Sequence, residues 1–311
     1  MTIEIIESKS ATSFLNSISL ENKRHDGLLS DFIFRGQANA DWPIIPSAFR
    51  KGTILFRKKN TPLKISQRSH RDQIESEYFM LHSFCMELQN SGLYLPNETV
   101  LTRHDYSDEF IDFHNKIGRG ELLWPAPEYL SIIALAQHYG LPTRFTDWTL
   151  DPFIAAYFAI TSWMAEKNKP EYISVFALNT VFADVKNYGF DRHIKDLSTE
   201  NPANSYQIVR SPSFFNDHLK AQKGLFLAYI QRDFHPNDKA EAFSVEDHLE
   251  NATKSKLAIF NNIKPIAYKY IINKKHCSEA FRIIQKRGYT ASRVFPGISG
   301  CIKSIYESIS I

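Results

Sequence analysis

The chain has 311 residues, of which 43% are hydrophobic and 13% aromatic, and its formal net charge is +3. This composition predicts a folded protein with a large core, and the charge is too small by itself to indicate a nucleic-acid-binding protein. The three cysteines have neither metal-ligand nor CxxC spacing, which favours a reducing compartment. The N-terminal apolar run contains acids, unlike a signal peptide, and no apolar segment approaches the about 18 residues of a membrane span. We therefore expect a cytoplasmic protein with no metal site and no membrane contact.

The N-terminal part of the chain predicts a helix, a strand and a second, longer helix. Residues 9–20 have the spacing of a short amphipathic helix, and residues 31–37 are typical of a strand that ends in a glycine turn. The apolar positions from Ile74 to Leu88 follow a helical period, with Gly92 as the residue that ends the helix.

Between the strand and the longer helix lies a basic segment. Residues 42–71 contain eight lysines and arginines and no acid. A solvated basic loop explains this pattern, and so does a flank that contacts phosphate groups. In the second interpretation, nucleic acid binds at Arg57, Lys58 and Lys59.

The rest of the chain mixes strands and helices without a regular alternation. We predict a helix over 130–137 that stops at Gly140, strands over 172–178, 225–230 and 263–273, and helices over 277–287 and 302–309. Residues 93–127 are expected to be irregular, residues 183–218 loop-rich, and residues 231–256 an exposed excursion or a short helical insert. These elements predict an α+β fold with a single domain, in which a central mixed or antiparallel sheet is flanked by helices.

The most informative segment is a polar block directly before an apolar helix. Gln137, His138, Arg144, Asp147 and Trp148 precede Asp151-Pro152, which are typical of the N-cap and first position of a helix. Residues 153–160 are apolar on every face, so this helix should be buried. Its positive N-terminal end suits an anion or a charged cofactor beside the block. The alternative is that Arg144 and Asp147 form a buried ion pair that only fixes the loop.

Common catalytic motifs do not occur in the chain. The sequence has no GxGxxG segment after a strand, no GxxxxGK[ST], no GxSxG and no HExxH. The absence of these motifs argues against a Rossmann dinucleotide site, a P-loop, a serine-hydrolase elbow and a zincin site.

Several segments resemble the FRG domain family. Phe34-Arg35-Gly36 matches the Phe/Tyr-Arg-Gly signature of the family, and residues 136–144 with Asp147-Trp148 are similar to its central motif. Further similar positions are Trp42, Pro46-Ser47, Arg50, Glu77, residues 156–159, 221–226 and 293–296, and Gly300. The resemblance covers roughly residues 30–305, with Phe145-Thr146 where the family often has Leu-Leu and Gly297 where it often has Asp. It implies a lead-in over 1–29 and an FRG-like domain over 30–311, with the polar insert near 231–256.

A weaker resemblance connects the chain to Arg-Ser-Glu-type ADP-ribosyltransferases. Phe34-Arg35-Gly36 is similar to their first strand, and residues 143–149 followed by 151–159 resemble their second strand and its Ala- and Phe-rich helix. Gln222 stands where a transferase usually has its catalytic Glu. The resemblance implies NAD as the substrate, bound by Arg35, Gly36, Gln37, Gln137, His138, Arg144 and Trp148. Asp147, Glu77 and Gln222 are the catalytic candidates.

Each of these roles has an alternative that the sequence leaves open. Arg35 forks onto a pyrophosphate, or it is an arginine at the edge of the core paired with Glu77 or Asp147. His138, at a helix C-terminus that favours its protonation, holds a ribose hydroxyl or caps the loop. Trp148 stacks on the nicotinamide or adenine ring, or it packs in the core.

Two functions follow as hypotheses. The first is an ADP-ribosyltransferase-like enzyme or NAD glycohydrolase that cleaves the nicotinamide–ribose bond, as a toxin or anti-phage effector would. Its partners are a target protein or nucleic acid and, for a toxin, an antitoxin. The second is a non-catalytic module that senses a nucleotide or nucleic acid. Both require that Arg35 and the block from Gln137 to Trp148 share one pocket.

Overall fold

The computed structural model places two β-sheets and a set of helices around them. It describes residues 3–25, 32–58, 61–96, 108–180, 204–210, 217–231, 234–241, 244–254 and 266–309. The strands are β1 (Ile3–Ser8), β2 (Phe32–Gln37), β3 (Ile54–Lys58), β4 (Thr61–Lys64), β5 (Phe145–Thr149), β6 (Tyr172–Asn179), β7 (Asn204–Val209), β8 (Gly224–Gln231) and β9 (Ala267–Asn273). The helices are α1 (Ala11–Ile18), α2 (His70–Asn90), α3 (Asp108–Arg119), α4 (Leu130–His138), α5 (Pro152–Ala165), α6 (Asp217–Ala221), α7 (Val245–Lys254), α8 (Cys277–Lys286), α9 (Ala291–Val294) and α10 (Ile298–Ile309).

Among the described residues, seven strands form one mixed sheet, in the order β1-β9-β6-β2-β5-β8-β7, and β3 and β4 form a separate hairpin. Edge strand β1 pairs in parallel with β9, and the other neighbours in the large sheet are antiparallel. The predicted mixed sheet with flanking helices is therefore confirmed at the level of a mixed α/β architecture.

Both faces of the sheet are buried, because strand residues alternate between two packed layers. On one face, Phe32 and Phe34 of β2 pack with α1, α5 and α8. On the other face, Ile33 of β2 lies in a cluster with Phe49 and Leu55. Successive apolar residues of β2 therefore face opposite sides of the sheet.

Most predicted elements are present, and the differences have physical causes. The expected irregular region contains α3, and the expected loop-rich region contains β7 and the start of α6, Asp217 and His218. Strand β1 is missing from the prediction because its acids interrupt the apolar alternation; a half-exposed edge strand tolerates such charges. Because β1 lies in the large sheet, the N-terminal lead-in contributes a strand as well as a helix. Residues 181–203 and Lys59 lie outside the described residues.

Gly36 lies inside β2 rather than in a turn, which corrects the sequence-based expectation. At this residue the backbones of β2 and α5 lie close together, because a Cβ here would overlap the carbonyl oxygen of Ala155 and lie 2.8 Å from the Ala159 nitrogen. The glycine is therefore required for packing a helix backbone directly onto a strand backbone.

We predict that Gly36→Ala lowers the free energy of unfolding by about 1–3 kcal/mol or more, since the overlapping atoms belong to the backbone and cannot rotate away. Thermal unfolding would measure the loss. Gly118→Ala is the matched control, because its Cβ meets nothing within 4 Å and the residue is helical; we expect it to be neutral or stabilising. Equal melting temperatures for the two variants would contradict the packing explanation.

Candidate functional site

A cleft opens in the middle of the large sheet, where β2 and β5 separate. These strands pair only at Phe34 and Thr149. Beyond this pair, the Arg35 Nη1 donates a hydrogen bond to the main-chain oxygen of Asp147 at 2.6 Å. The Arg35 side chain therefore satisfies a carbonyl oxygen that would accept a hydrogen bond from a main-chain N–H if the two strands continued to pair.

Arg35 and Asp147 also form an ion pair at the centre of the cleft. The distance from Arg35 Nη1 to Asp147 Oδ2 is 3.8 Å; the Arg35 side chain is 16% exposed and the Asp147 side chain 59% exposed. Burial lowers the pKa of Arg35, while the Asp147 carboxylate opposes this shift. The guanidinium stays charged at neutral pH. Its Nε is buried and has no hydrogen-bond partner.

The last turn of α4 holds the carboxylate from the other side. Gln137 Nε2 lies 3.3 and 3.2 Å from the two carboxylate oxygens of Asp147. Gln137 Oε1 in turn accepts a hydrogen bond from the Thr143 hydroxyl at 2.7 Å. Asp147 is thus oriented by a cation and an amide while most of its side chain faces solvent.

Two histidines form another wall of the cleft. The His138 and His218 rings are 5.6 Å apart, and a ring nitrogen of His218 lies 3.2 Å from the Pro296 carbonyl oxygen. Burial lowers the pKa of His138, and His218 lowers it further. These two effects oppose the protonation that a helix C-terminus favours, so the imidazole is neutral at neutral pH.

The cleft has a volume of about 800 Å³ and contains most of the predicted site residues. Those that line it are Arg35, Gly36, Gln137, His138, Asp147, Trp148 and Gln222. The prediction that Arg35 and the polar block share one pocket is confirmed for these residues. Gln37 instead lines a neighbouring cavity.

Arg144 and Glu77 lie outside the cleft and bind each other. Arg144 Nε donates to Glu77 Oε2 at 2.5 Å, and both side chains are at most 4% exposed. Glu77 also accepts from Trp124 Nε1 at 2.6 Å, and Arg144 Nη1 donates to Gln231 Oε1 at 2.8 Å. The alternative interpretation of an Arg144–Asp147 ion pair is therefore wrong. The two pairs are Arg35–Asp147 and Arg144–Glu77.

Trp148 and Gln222 line the cleft but are engaged elsewhere. Trp148 is 3% exposed, its ring packs edge-on against Phe176, and its Nε1 donates to the Thr146 hydroxyl. Gln222 Nε2 donates to the Val294 carbonyl oxygen at 3.2 Å. The geometry thus favours a core role for Trp148 and gives Gln222 the role of tying the chain before β8 to α9.

The N-terminus of α5 is not an open anion site, which corrects a further expectation. Asp151 caps the helix through Phe153 N, as predicted, and also accepts hydrogen bonds from Lys223 Nζ at 3.0 Å and the Tyr289 hydroxyl at 3.1 Å. The positive helix end is therefore already neutralised by a carboxylate. The middle of α5, through Ala155, Phe158 and Ser162, lines the cleft instead.

The basic segment is only partly solvated. Arg68 is 1% exposed and donates to main-chain oxygens of Ala48, Leu63 and Thr53. Arg71 forms an ion pair with Glu75 at 2.8 Å. The side chains of Arg57 and Lys58 lie outside the described part of the structure, as does Lys59.

Some wall residues were not singled out from the sequence as site residues. They are Phe34, Tyr139, Thr149, Ala155, Phe158, Ser162, Asp217, His218, Phe295 and Pro296. Phe295-Pro296 stood within a recognised family segment, so that signal was present in the sequence. Asp217 and His218 adjoin residues 221–226 but form no local motif, and Ser162 lies within an apolar helix.

Within the described ranges, no three His, Cys, Asp or Glu side chains are grouped as metal ligands would be. No helix among those residues has both the length and the apolarity needed to span a bilayer.

The fold and site define a mixed α/β protein with a polar, ligand-sized cleft at the division of its sheet. Residues 30–168 match the family model of the FRG domain, the family that the motifs of the chain resemble. The matched residues include β2, which carries Arg35, and β5, which carries Asp147. They also include α5, the helix that packs on Gly36. No curated protein and no solved structure gives a significant match to the chain.

The two ion pairs predict stability losses of very different size when the carboxylate is removed. Glu77→Gln leaves the buried Arg144 cation without its counter-charge, so we expect a loss of about 3–5 kcal/mol in the free energy of unfolding. The Asp147 carboxylate is exposed, so we expect Asp147→Asn to change the free energy of unfolding by no more than about 1 kcal/mol. Urea unfolding would measure both. Equal losses in the two variants would show that these carboxylates have similar structural roles.

Proposed function

We propose that the cleft binds NAD and that the protein cleaves the bond between nicotinamide and ribose, as a cytoplasmic ADP-ribosyltransferase or NAD glycohydrolase. The observation that carries the proposal is the Arg35–Asp147 pair, which places a fixed cation next to an exposed carboxylate in one cleft. The reaction needs both charges: a cation for the pyrophosphate and an anion for the positive charge that develops on the ribose.

Arg35 is suited to the pyrophosphate. A guanidinium binds phosphate oxygens through two parallel N–H donors. Nη1 is used in part by the Asp147 carbonyl, whereas Nε has no acceptor among the described residues. A phosphate that reaches Nε would satisfy this buried donor, and its charge would stabilise the desolvated cation.

The rest of the cleft fits the other parts of NAD. A volume of about 800 Å³ lies within the range of pockets that enclose cofactor-sized ligands. Phe158 and Phe295, which are only partly buried, offer apolar surface for a planar ring. The neutral His138 provides one hydrogen-bond donor and one acceptor, which suits a ribose hydroxyl.

Asp147 is the proposed catalytic carboxylate. As the C1′–N bond breaks, its electron pair leaves with nicotinamide and the ribose becomes an oxocarbenium-like cation, which a nearby carboxylate stabilises. Water or another nucleophile then bonds to C1′ and loses a proton. Because Glu77 is buried behind β5 and Gln222 carries no charge, neither is assigned this role. Among the described residues, Asp217 is the other carboxylate that lines the cleft.

We predict that Asp147→Asn lowers the rate of nicotinamide release by about 10²-fold or more, because the amide removes the charge and keeps the shape. Arg35→Lys should weaken NAD binding although the positive charge remains, since an ammonium cannot make the two-donor contact. Nicotinamide release from purified protein, with NAD affinity from calorimetry, would measure both effects.

Asp217→Asn is the matched control and should retain most of the activity. If Asp147→Asn turns over NAD at the wild-type rate, the catalytic assignment is wrong. If the wild type neither binds nor consumes NAD at millimolar concentration, the enzyme proposal fails as a whole.

A second candidate is a non-catalytic module that senses a nucleotide in the same cleft. The amide of Gln222 at the position of the usual catalytic Glu favours it. This candidate predicts nucleotide binding that depends on Arg35 without release of nicotinamide, so the same pair of measurements separates the two functions.

A further inference from the structure

A second cavity adjoins the cleft on the other side of Arg35. Its volume is about 1280 Å³, and it shares Arg35, Gly36 and Ser162 with the cleft. Its other walls come from the basic segment that follows β2, and from residues 239–241. The proposed NAD site does not use this space, because the cleft alone is large enough for a dinucleotide.

The second cavity combines apolar and cationic surface. Trp42, Phe49 and Ile54 line it, and the Trp42 side chain is substantially exposed. Arg50, Lys51 and Lys64 also line it. Aromatic surface beside several cations is the combination that binds a base by stacking and a phosphate by charge.

At this cavity, one cation lies near another cation, and one buried acceptor has no hydrogen-bond partner. The Arg50 Nε donates to the Ile45 carbonyl oxygen at 2.9 Å. Arg50 lies close enough to Arg35 to lower its pKa, after the larger contributions of burial and of Asp147. An anion next to both guanidiniums would relieve this repulsion. Gln37 is 8% exposed; its Nε2 donates to the Trp42 carbonyl oxygen at 3.0 Å, whereas its Oε1 accepts no hydrogen bond.

We propose that the second cavity binds a nucleoside phosphate, free or at the end of a single strand, as the acceptor of ADP-ribose. This inference rests on the proposed function, since the acceptor reacts with NAD in the adjoining cleft. The base stacks on Trp42, and the phosphate lies near Arg50 and Arg35. When the C1′–N bond of NAD breaks and nicotinamide leaves with the electron pair, an oxygen or nitrogen of the acceptor bonds to C1′. The proton of that acceptor atom goes to solvent.

Binding without NAD tests the second cavity directly. The probes are free nucleoside monophosphates, followed by calorimetry, and short fluorescent single strands of DNA and RNA, followed by anisotropy. We expect Trp42→Ala to weaken binding about tenfold or more. For strands, Arg50→Gln should reduce the slope of log affinity against log salt by about one. Arg119→Gln, an exposed arginine outside both cavities, should change neither quantity.

Tighter binding of strands than of monophosphates assigns the site to a nucleic acid end, and equal affinity assigns it to a free nucleotide. No binding of either probe, or binding that is unchanged in both Trp42→Ala and Arg50→Gln, would overturn the proposal.

The failure of this proposal is distinguishable from failure of the NAD proposal. Trp42 lies outside the cleft, so Trp42→Ala should release nicotinamide to water at the wild-type rate while it loses the nucleotide. If the protein binds the nucleotide but never consumes NAD, the second cavity is a nucleotide site and its role as an acceptor site is wrong.

Discussion

The site depends on the separation of two neighbouring strands in the centre of the sheet. β2 and β5 pair at one position and then diverge, and Arg35 spans the opening to the main chain of Asp147. Packing constrains this arrangement from one side, because Gly36 lets the backbone of α5 lie directly against β2. An arginine that bridges the gap is held by its neighbours on both sides, so its charge is fixed where the cleft opens.

The two arginine–carboxylate ion pairs differ in burial, and this difference separates a structural pair from one that a ligand can reach. Arg144 and Glu77 are buried together with Trp124 and Gln231, and they connect α2 to the segment that leads into β5. Arg35 and Asp147 face a cavity, and Asp147 remains largely exposed. A buried, fully bonded carboxylate stabilises one arrangement, whereas an exposed and oriented carboxylate is available to a ligand. This difference in burial is why the catalytic proposal rests on Asp147 and not on Glu77.

Much of the fold and part of the site were predictable from local patterns. Apolar periodicity located α2, α4, α8 and the strands β6 and β8. The family motifs led to the prediction that Arg35 and Asp147 line one pocket, as they do. Pairing between charges was not predictable, because Arg144 binds a residue 67 positions away on α2 and no local rule selects it over Asp147. The same holds for His218, which reaches the cleft by tertiary packing and lowers the pKa of His138. Strand β1 carries a weak pattern because acids interrupt its apolar residues and it lies at a sheet edge.

The central claim is that Arg35, where β2 and β5 separate, receives the phosphates of a dinucleotide and Asp147 faces its ribose. The most direct measurement is a crystal structure of the Asp147→Asn protein with NAD. The account predicts a pyrophosphate within hydrogen-bond distance of the Arg35 guanidinium and the ribose C1′ next to residue 147. NAD bound elsewhere, or in the cleft with its phosphates away from Arg35, would contradict it.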